Sequence, residues 1–239
     1  MKGTRPLSNE EIIKVRDTFT GLYAVRNRSL FMLGVSIGGR ISELLGLKIG
    51  DVWQNEFPVT DVVFDKSIVK GGEVSRAVPV NSDGTQAIDA LIAWHVEQFG
   101  DLVADAPLFP SRKGGTALTR KAADDALKTA FELAGLNGKL GTHSLRKSFA
   151  QRLYDELGDI FAVGQMLGHK HTDTTQKYLG VNYRSVREGI EAMAVSVDQD
   201  RNTTPVYKAK DMELIHELTE RGYAGKKDGK RFEWLSQDK

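Results

Sequence analysis

The strings GGRISELLGL around Arg40, THSLRKSF around His143 and Arg146, LGHK around His169 and TTQKYLG around Tyr178 lie far apart in this chain. Each sets an arginine, histidine or tyrosine beside a glycine or threonine suited to a helix boundary. A fold that uses these side chains as one site must bring both ends of that span together. None of the five means much alone. As a set, two guanidiniums, two imidazoles and one phenol can grip a phosphodiester and attack it.

The bulk of the chain leaves room for such a fold. Its 239 residues make one large domain, or one domain with an appendage. With 40% apolar and 27% charged residues it has the composition of a globular protein. The longest apolar run, LFMLGVSIGG, is too short and glycine-rich to span a bilayer. No signal-peptide pattern is seen at the start. Cysteine is absent, which excludes disulfides and thiolate metal sites and fits a reducing cytoplasm. The net charge of +1 hides local patches. Residues 112–152 hold nine Lys or Arg against three acids, a local balance of +6. Within that stretch Arg112, Lys113, Arg120, Lys121 and Lys147 are candidate DNA contacts. A solvated helix face is the plainer alternative.

Periodicity predicts a mostly helical α+β chain with a small antiparallel sheet. Ser8 and Glu11 form a capping box that opens a first helix. A second helix runs through Leu30–Val35 and breaks at Gly38-Gly39, and a short apolar helix follows through Leu47. VVF, SIV and RAVPV within 52–80 read as short strands with a turn near Gly71-Gly72. Ser82 or Asp83 caps a helix ending at Gly100. Thr119 caps one to Ala134, Thr142 caps the helix carrying His143 and Arg146, and Asp159 starts one ending near Gly168. Further helices are expected from Thr172, over 183–194 and at 211–221. The chain divides into residues 1–197 as the main domain and 198–239 as a tail with a short helix, suited either to docking on a neighbouring protomer or to touching DNA.

His143 and Arg146, three apart, share a helix face in the first turn, where the dipole favours an anion. Taken alone, a surface His-Arg pair is the commoner meaning. Arg40 precedes Glu43 by three, so Glu43 can hold the guanidinium or form an ordinary ion pair. Tyr178 is hard to read as a core residue, flanked as it is by Thr175, Gln176, Lys177 and Gly180. A phenol titrates near pH 10, so cations must stabilise its phenolate before it attacks. Arg40, Arg146 and His169 are candidates for that task, and Tyr183 is the rival tyrosine. Lys70, in SIVKGGEVS, can donate a proton from a turn, with Lys66 as its alternative. His169-x-His171 has no partners that complete a metal site. His95 and His216 read as structural or solvated. No P-loop pattern supports a need for ATP.

Arg40, Lys70, His143-x-x-Arg146, His169 and Tyr178, with RISELLGLKIGDV, KGGEVSRAVPV, PLFPSRKGG, THSLRKSFA and LGHKHTDTTQKYLG, resemble the active site of the tyrosine site-specific recombinases, the phage-integrase family. The 23 residues from Arg146 to His169 and the nine from His169 to Tyr178 fit its spacing. The resemblance covers roughly residues 8–190. It implies that Tyr178 attacks the scissile phosphate, forming a 3′-phosphotyrosyl link and freeing a 5′-hydroxyl. Arg40 and Arg146 would hold the non-bridging oxygens, and His143 would assist proton transfer at Tyr178. Lys70 would protonate the leaving 5′-oxygen, His169 would hydrogen-bond the phosphate and Glu43 would brace the site. Neither metal nor ATP is implied.

The expected partner is double-stranded DNA at a specific site, bound by four protomers of a cytoplasmic protein without membrane attachment. Family members usually carry a helical core-binding domain ahead of the catalytic one. Here the match begins almost at Met1, so the chain is either a fragment or a minimal recombinase without that domain, for which weak DNA affinity is expected, fewer phosphates being neutralised. Two other readings stand beside this one. The same chemistry serves type IB topoisomerases and telomere resolvases, and the fold could persist as a non-catalytic DNA-binding module.

Overall fold

The computed structural model describes residues 3–64, 75–113, 115–169, 174–175, 223–228 and 231–236. The chain divides into two compact units, Met1–Val181 and Asn182–Lys239.

In the first unit α1 (Asn9–Arg16) opens on the expected capping box. Ser8 accepts from the Glu11 backbone, and Glu11 accepts from that of Ser8. The helix that follows, α2 (Ala24–Ile37), is longer at both ends than its apolar core suggests. Every residue from Ser29 to Ile37 is buried, most of them apolar, so this part of α2 is enclosed on all sides. A helix of that kind belongs at the centre of a bundle, and α2 packs against α5 (Ser82–Phe99) and α7 (Thr142–Leu157). Its contact with α7 is close enough that a Cβ on Gly34 would strike the Leu145 side chain. At its C-terminus Gly38 takes φ 62°, in the left-handed region that ends helices. A side chain there would also strike the Phe149 ring. These two glycines let α7 lie against α2, which sets Arg146 beside the α2 terminus.

Short helices α3 (Ile41–Leu44) and α4 (Ile49–Val52) lead into two antiparallel ladders. Strands β1 (Trp53–Gln54) and β2 (Phe57–Pro58) form the first. β3 (Asp61–Phe64) pairs with β4 (Arg76–Pro79) in the second, with Phe64 opposite Arg76. The VVF and RAVPV runs are therefore strands, as expected. SIV, the Gly71-Gly72 turn, Lys66 and Lys70 lie outside the described residues. Helix α6 (Arg120–Leu133) starts at Thr119 as expected, and α8 (Ile160–Leu167) starts at Asp159.

Two caps differ from the sequence reading. Asn81, not Ser82 or Asp83, caps α5 by accepting from the Gly84 backbone at 2.9 Å. All three residues are good caps, so tertiary placement decides, and Gly84 lies tight against Val80 and Ser36. Gly141, not Thr142, is the N-cap of α7, and the Ser144 hydroxyl accepts from its N–H. Thr142 becomes the first helical residue.

In the second unit β5 (Tyr223–Asp228) and β6 (Arg231–Ser236) form an antiparallel hairpin that the sequence reading lacked. The helices expected at 183–194 and 211–221 lie outside the described residues. So does the one expected from Thr172, apart from Thr174 and Thr175, which are helical.

Candidate active site

Glu43 is the centre of the site. It sits on α3, its side chain 1% exposed, and three guanidiniums surround its carboxylate. Arg40 approaches one oxygen at 2.8 Å, and the Arg40 backbone N–H donates to the other at 2.7 Å. Arg76 on β4 donates to both oxygens, at 2.6 and 3.3 Å. Arg146 on α7 stands 3.8 Å away. Burial opposes ionisation of Glu43, but the Arg76 fork and the two Arg40 donors outweigh it. The carboxyl stays below its usual range.

Arg146 is among the largest fully buried side chains. One nitrogen donates to the Gly38 carbonyl at 2.8 Å, at the end of α2. The other donates to the Leu167 carbonyl, at the end of α8. Both are helix C-termini, where the dipole favours a cation. The second nitrogen also lies 3.1 Å from His169 Nε2. A guanidinium can only donate, so Nε2 accepts and the ring is neutral with its proton on Nδ1. Nδ1–H then donates to the Thr175 hydroxyl at 3.0 Å. Burial, followed by the charges of Arg146 and Arg40, pushes the His169 pKa down to about 4.

His143 is exposed on the first turn of α7. Partial burial and the charges of Arg146, Arg120, Lys147 and Arg40, in falling order, lower its pKa. Arg120 and Lys147 thus belong to the electrostatic surroundings of this histidine. Arg112, Lys113, Arg120 and Lys121 are exposed. Lys121 stands 3.3 Å from Asp125, an exposed pair of little energetic weight. Lys147 is half-buried and donates to the Thr4 carbonyl at 2.7 Å. His95 is structural, as read from sequence: it is buried and its Nε2–H donates to the Leu108 carbonyl at 2.8 Å.

The structure therefore gathers Arg40, Glu43, Arg146 and His169 in direct contact, with His143 close by. Tyr178, Tyr183, Lys66, Lys70, His171 and His216 lie outside the described residues. Two members escaped the sequence reading. Thr175 is fully buried and holds the His169 ring. Arg76 shares the buried face of β4 with Val78. An arginine in phase with the apolar positions of RAVPV was the available signal, since a charge on that face needs a buried partner.

The His169 environment has a consequence for stability. Its unfolded value is 6.5 and its folded value about 4. Between these values the unfolded chain binds a proton that the folded chain refuses, so stability falls as pH drops through that window. His143 and His95, also lowered, act in the same sense. The melting temperature should fall less steeply from pH 7 to pH 5 in His169→Gln than in the wild type, as thermal unfolding at each pH will show. Equal slopes would contradict this arrangement of the ring.

Among the described residues no helix is long and apolar enough to cross a membrane. Solved structures share the architecture. XerH site-specific recombinase bound to palindromic difH substrate, in a post-cleavage complex, aligns with TM-score 0.66 and 28% identity, over 80% of this chain and 54% of that one. XerA recombinase aligns with TM-score 0.65 and 22% identity, over 82% of this chain and 68% of that one. Among curated proteins, tyrosine recombinase XerD of Mycobacterium leprae (strain TN) is 35% identical over 175 residues, 70% of this chain and 52% of that protein. Tyrosine recombinase XerC of Xylella fastidiosa (strain 9a5c) is 34% identical over 176 residues, 74% of this chain and 54% of that protein. The chain thus spans about half the length of the curated relatives it matches. The sequence model of the phage integrase family matches residues 6–185, and the chain belongs to that family.

Proposed function

We propose that this chain breaks and rejoins double-stranded DNA at a specific site through a covalent 3′-phosphotyrosyl intermediate. The observation that carries this reading is the convergence of Arg40, Arg76 and Arg146 on one buried carboxylate, with His169 held against Arg146. Three guanidiniums against one carboxylate leave a surplus of +2 beside a neutral histidine. A phosphodiester carries one negative charge, and its five-coordinate transition state carries about one more. Fixed cations aimed at such a centre favour the transition state over the ground state.

Each residue has a task. Arg40, with its side chain 29% exposed, meets a non-bridging oxygen first. Arg146 is the floor of the site. Its nitrogen now shared with His169 turns to the phosphate when DNA enters. His169 then moves its proton to Nε2 and donates to the same phosphate. Thr175 permits the exchange, because a hydroxyl can accept from Nδ1–H or donate to Nδ1. His143, neutral at physiological pH, takes the phenolic proton of Tyr178 as it attacks the phosphorus. Chain connectivity keeps Tyr178 near: it follows Thr175 by three positions, which reach at most about 11 Å. Lys70 gives its proton to the departing 5′-oxygen. The exposed Arg112, Lys113, Arg120 and Lys121, with Lys147, bind backbone phosphates. Residues 198–239 serve as an appendage joining four protomers on two duplexes in the cytoplasm.

Nicked suicide duplexes tiled across the DNA that flanks the gene test this reading. In each, the nick lets a short strand diffuse away after cleavage and traps the intermediate. A protein–DNA adduct that survives denaturation, formed on one duplex and not on scrambled sequence, is the expected result. Adducts on every duplex, with relaxation of supercoiled plasmid, would favour the topoisomerase reading. No adduct on any would favour a binding module. On the duplex that reacts, Lys70→Ala should cleave slowly but recover nearly wild-type rate when sulfur replaces the 5′-bridging oxygen, since a thiolate leaves without a proton. Lack of recovery would transfer the acid's role to Lys66.

A further inference from the structure

Arg76 engages all three of its guanidinium nitrogens with protein atoms. Nη2 and Nη1 fork the Glu43 carboxylate at 2.6 and 3.3 Å. Nε donates to the Met166 carbonyl, in the last turn of α8, at 2.9 Å. The plane lies over the Phe64 ring, 4.4 Å from its centroid. The side chain is 5% exposed. Gly168 closes over it: at φ 66°, a Cβ there would come within 3.1 Å of the arginine Cδ. The next residue is His169. Arg76 therefore joins the carboxylate under the arginines to the helix end that presents the histidine, and its burial keeps it from meeting a phosphate directly.

We infer that Arg76 is a positioning residue for strand transfer, neutralising Glu43 so that Arg40 and Arg146 keep their charge for the phosphate. The inference rests on the function proposed above. Without Arg76 the carboxylate's nearest cations are Arg40, at 2.8 Å, and Arg146, at 3.8 Å. A buried carboxylate needs its charge fully paired, so Arg40, already bonded to one oxygen, would be held there alone and Arg146 would be drawn from 3.8 Å toward the oxygen that Arg76 vacates. The surplus of positive charge would fall by one, and the end of α8 would lose its anchor beside His169. Among the described residues, the groups facing that histidine are Arg146 from α7, Glu43 from α3 and Arg40 at its N-cap, Arg76 from β4 and the Thr175 hydroxyl. Removing Arg76 shifts this balance toward the negative. A lysine restores the charge but not the fork.

The test compares the wild type with Arg76→Gln, Arg76→Lys, Glu43→Gln and the double variant Arg76→Gln/Glu43→Gln. Single-turnover cleavage is measured on the tiled nicked duplexes, and His169 is titrated by imidazole NMR in the DNA-free proteins. Arg76→Gln should keep duplex binding within about threefold while cleavage falls about 100-fold, the usual scale for losing one charge-organising donor. Arg76→Lys should recover part of the rate. Adding Glu43→Gln to Arg76→Gln should raise the rate about tenfold above Arg76→Gln alone, because no carboxylate is left to claim the arginines. The His169 pKa should rise in Arg76→Gln and stay low in Arg76→Lys. A merely structural arginine predicts otherwise: a smaller active fraction at unchanged rate per active molecule, losses that add in the double variant, and an unmoved His169. Any of these overturns the inference. If Arg76→Gln does not fold, Arg76→Lys at full wild-type rate overturns it, and a partial rate supports it. If the wild type forms no adduct, the strand-transfer reading fails, while the His169 titration still decides whether Arg76 sets the charge of the cluster.

Discussion

Tyr178→Phe is expected to leave DNA binding within about threefold of wild type and to abolish the covalent protein–DNA species. The substitution removes one oxygen and little volume. A phenyl ring neutralises no fewer phosphates than a phenol, so the salt-dependent part of binding is unchanged. Under the proposed mechanism the phenolic oxygen is the nucleophile, and a phenyl ring offers none. Its loss should lower cleavage by a factor on the order of 10⁴ or more, as when other covalent nucleophiles are deleted. A denaturing gel of the trapped product reads the first effect and a filter-binding titration the second. Adduct persisting in this variant would move the nucleophile to Tyr183.

Arg146→Lys should have the next largest effect, on rate and on stability together. The guanidinium bonds the terminal carbonyls of α2 and α8 and reaches toward Glu43 and His169 at once. An ammonium on a flexible stem has one centre and cannot meet carbonyls on two sides. At least one buried carbonyl then loses its donor, costing roughly 1–3 kcal/mol of stability. Cleavage should fall on the order of 10²–10³-fold, the scale for removing one donor to a developing oxyanion. Thermal unfolding and single-turnover cleavage check the two effects. Unchanged stability with a lost rate would mean that the carbonyl contacts do not form. An unchanged rate would remove Arg146 from the site.

How much of this was legible in the sequence depends on how local each signal is. The Ser8–Glu11 box, the Thr119 and Asp159 caps and the breaks at Gly38 and Gly158 are written in a few neighbouring residues, and the structure shows them. The caps of α5 and α7 each moved by one or two positions because several adequate residues sit side by side there. The extent of α2 was hidden by Arg26 and Ser29, polar residues that are buried nonetheless. Arg26 satisfies itself with the Pro110 carbonyl and with Asn27, partners that no local pattern reveals. The β5–β6 hairpin was missed although Asp228-Gly229 is a strong turn signal.

In the site, Arg40, His143, Arg146 and His169 were legible because the family motif preserves their order and context. Arg76 and Thr175 were not, because each acts through another side chain. A long-range partner such as Glu43, thirty-three positions before Arg76, becomes visible only once β4 lies beside α3.

The measurement that tests the central claim most directly is the identity of the residue joined to DNA. The trapped adduct is digested with nuclease and trypsin, and the nucleotide-bearing peptide is sequenced by mass spectrometry. Cleavage after Lys177 and Arg184 yields a peptide holding both Tyr178 and Tyr183, so fragmentation within it separates the two. The account predicts a 3′-nucleotide phosphate on the Tyr178 oxygen. The same mass on Tyr183, a phosphate joined through any other residue, or a 5′-linked nucleotide would contradict it.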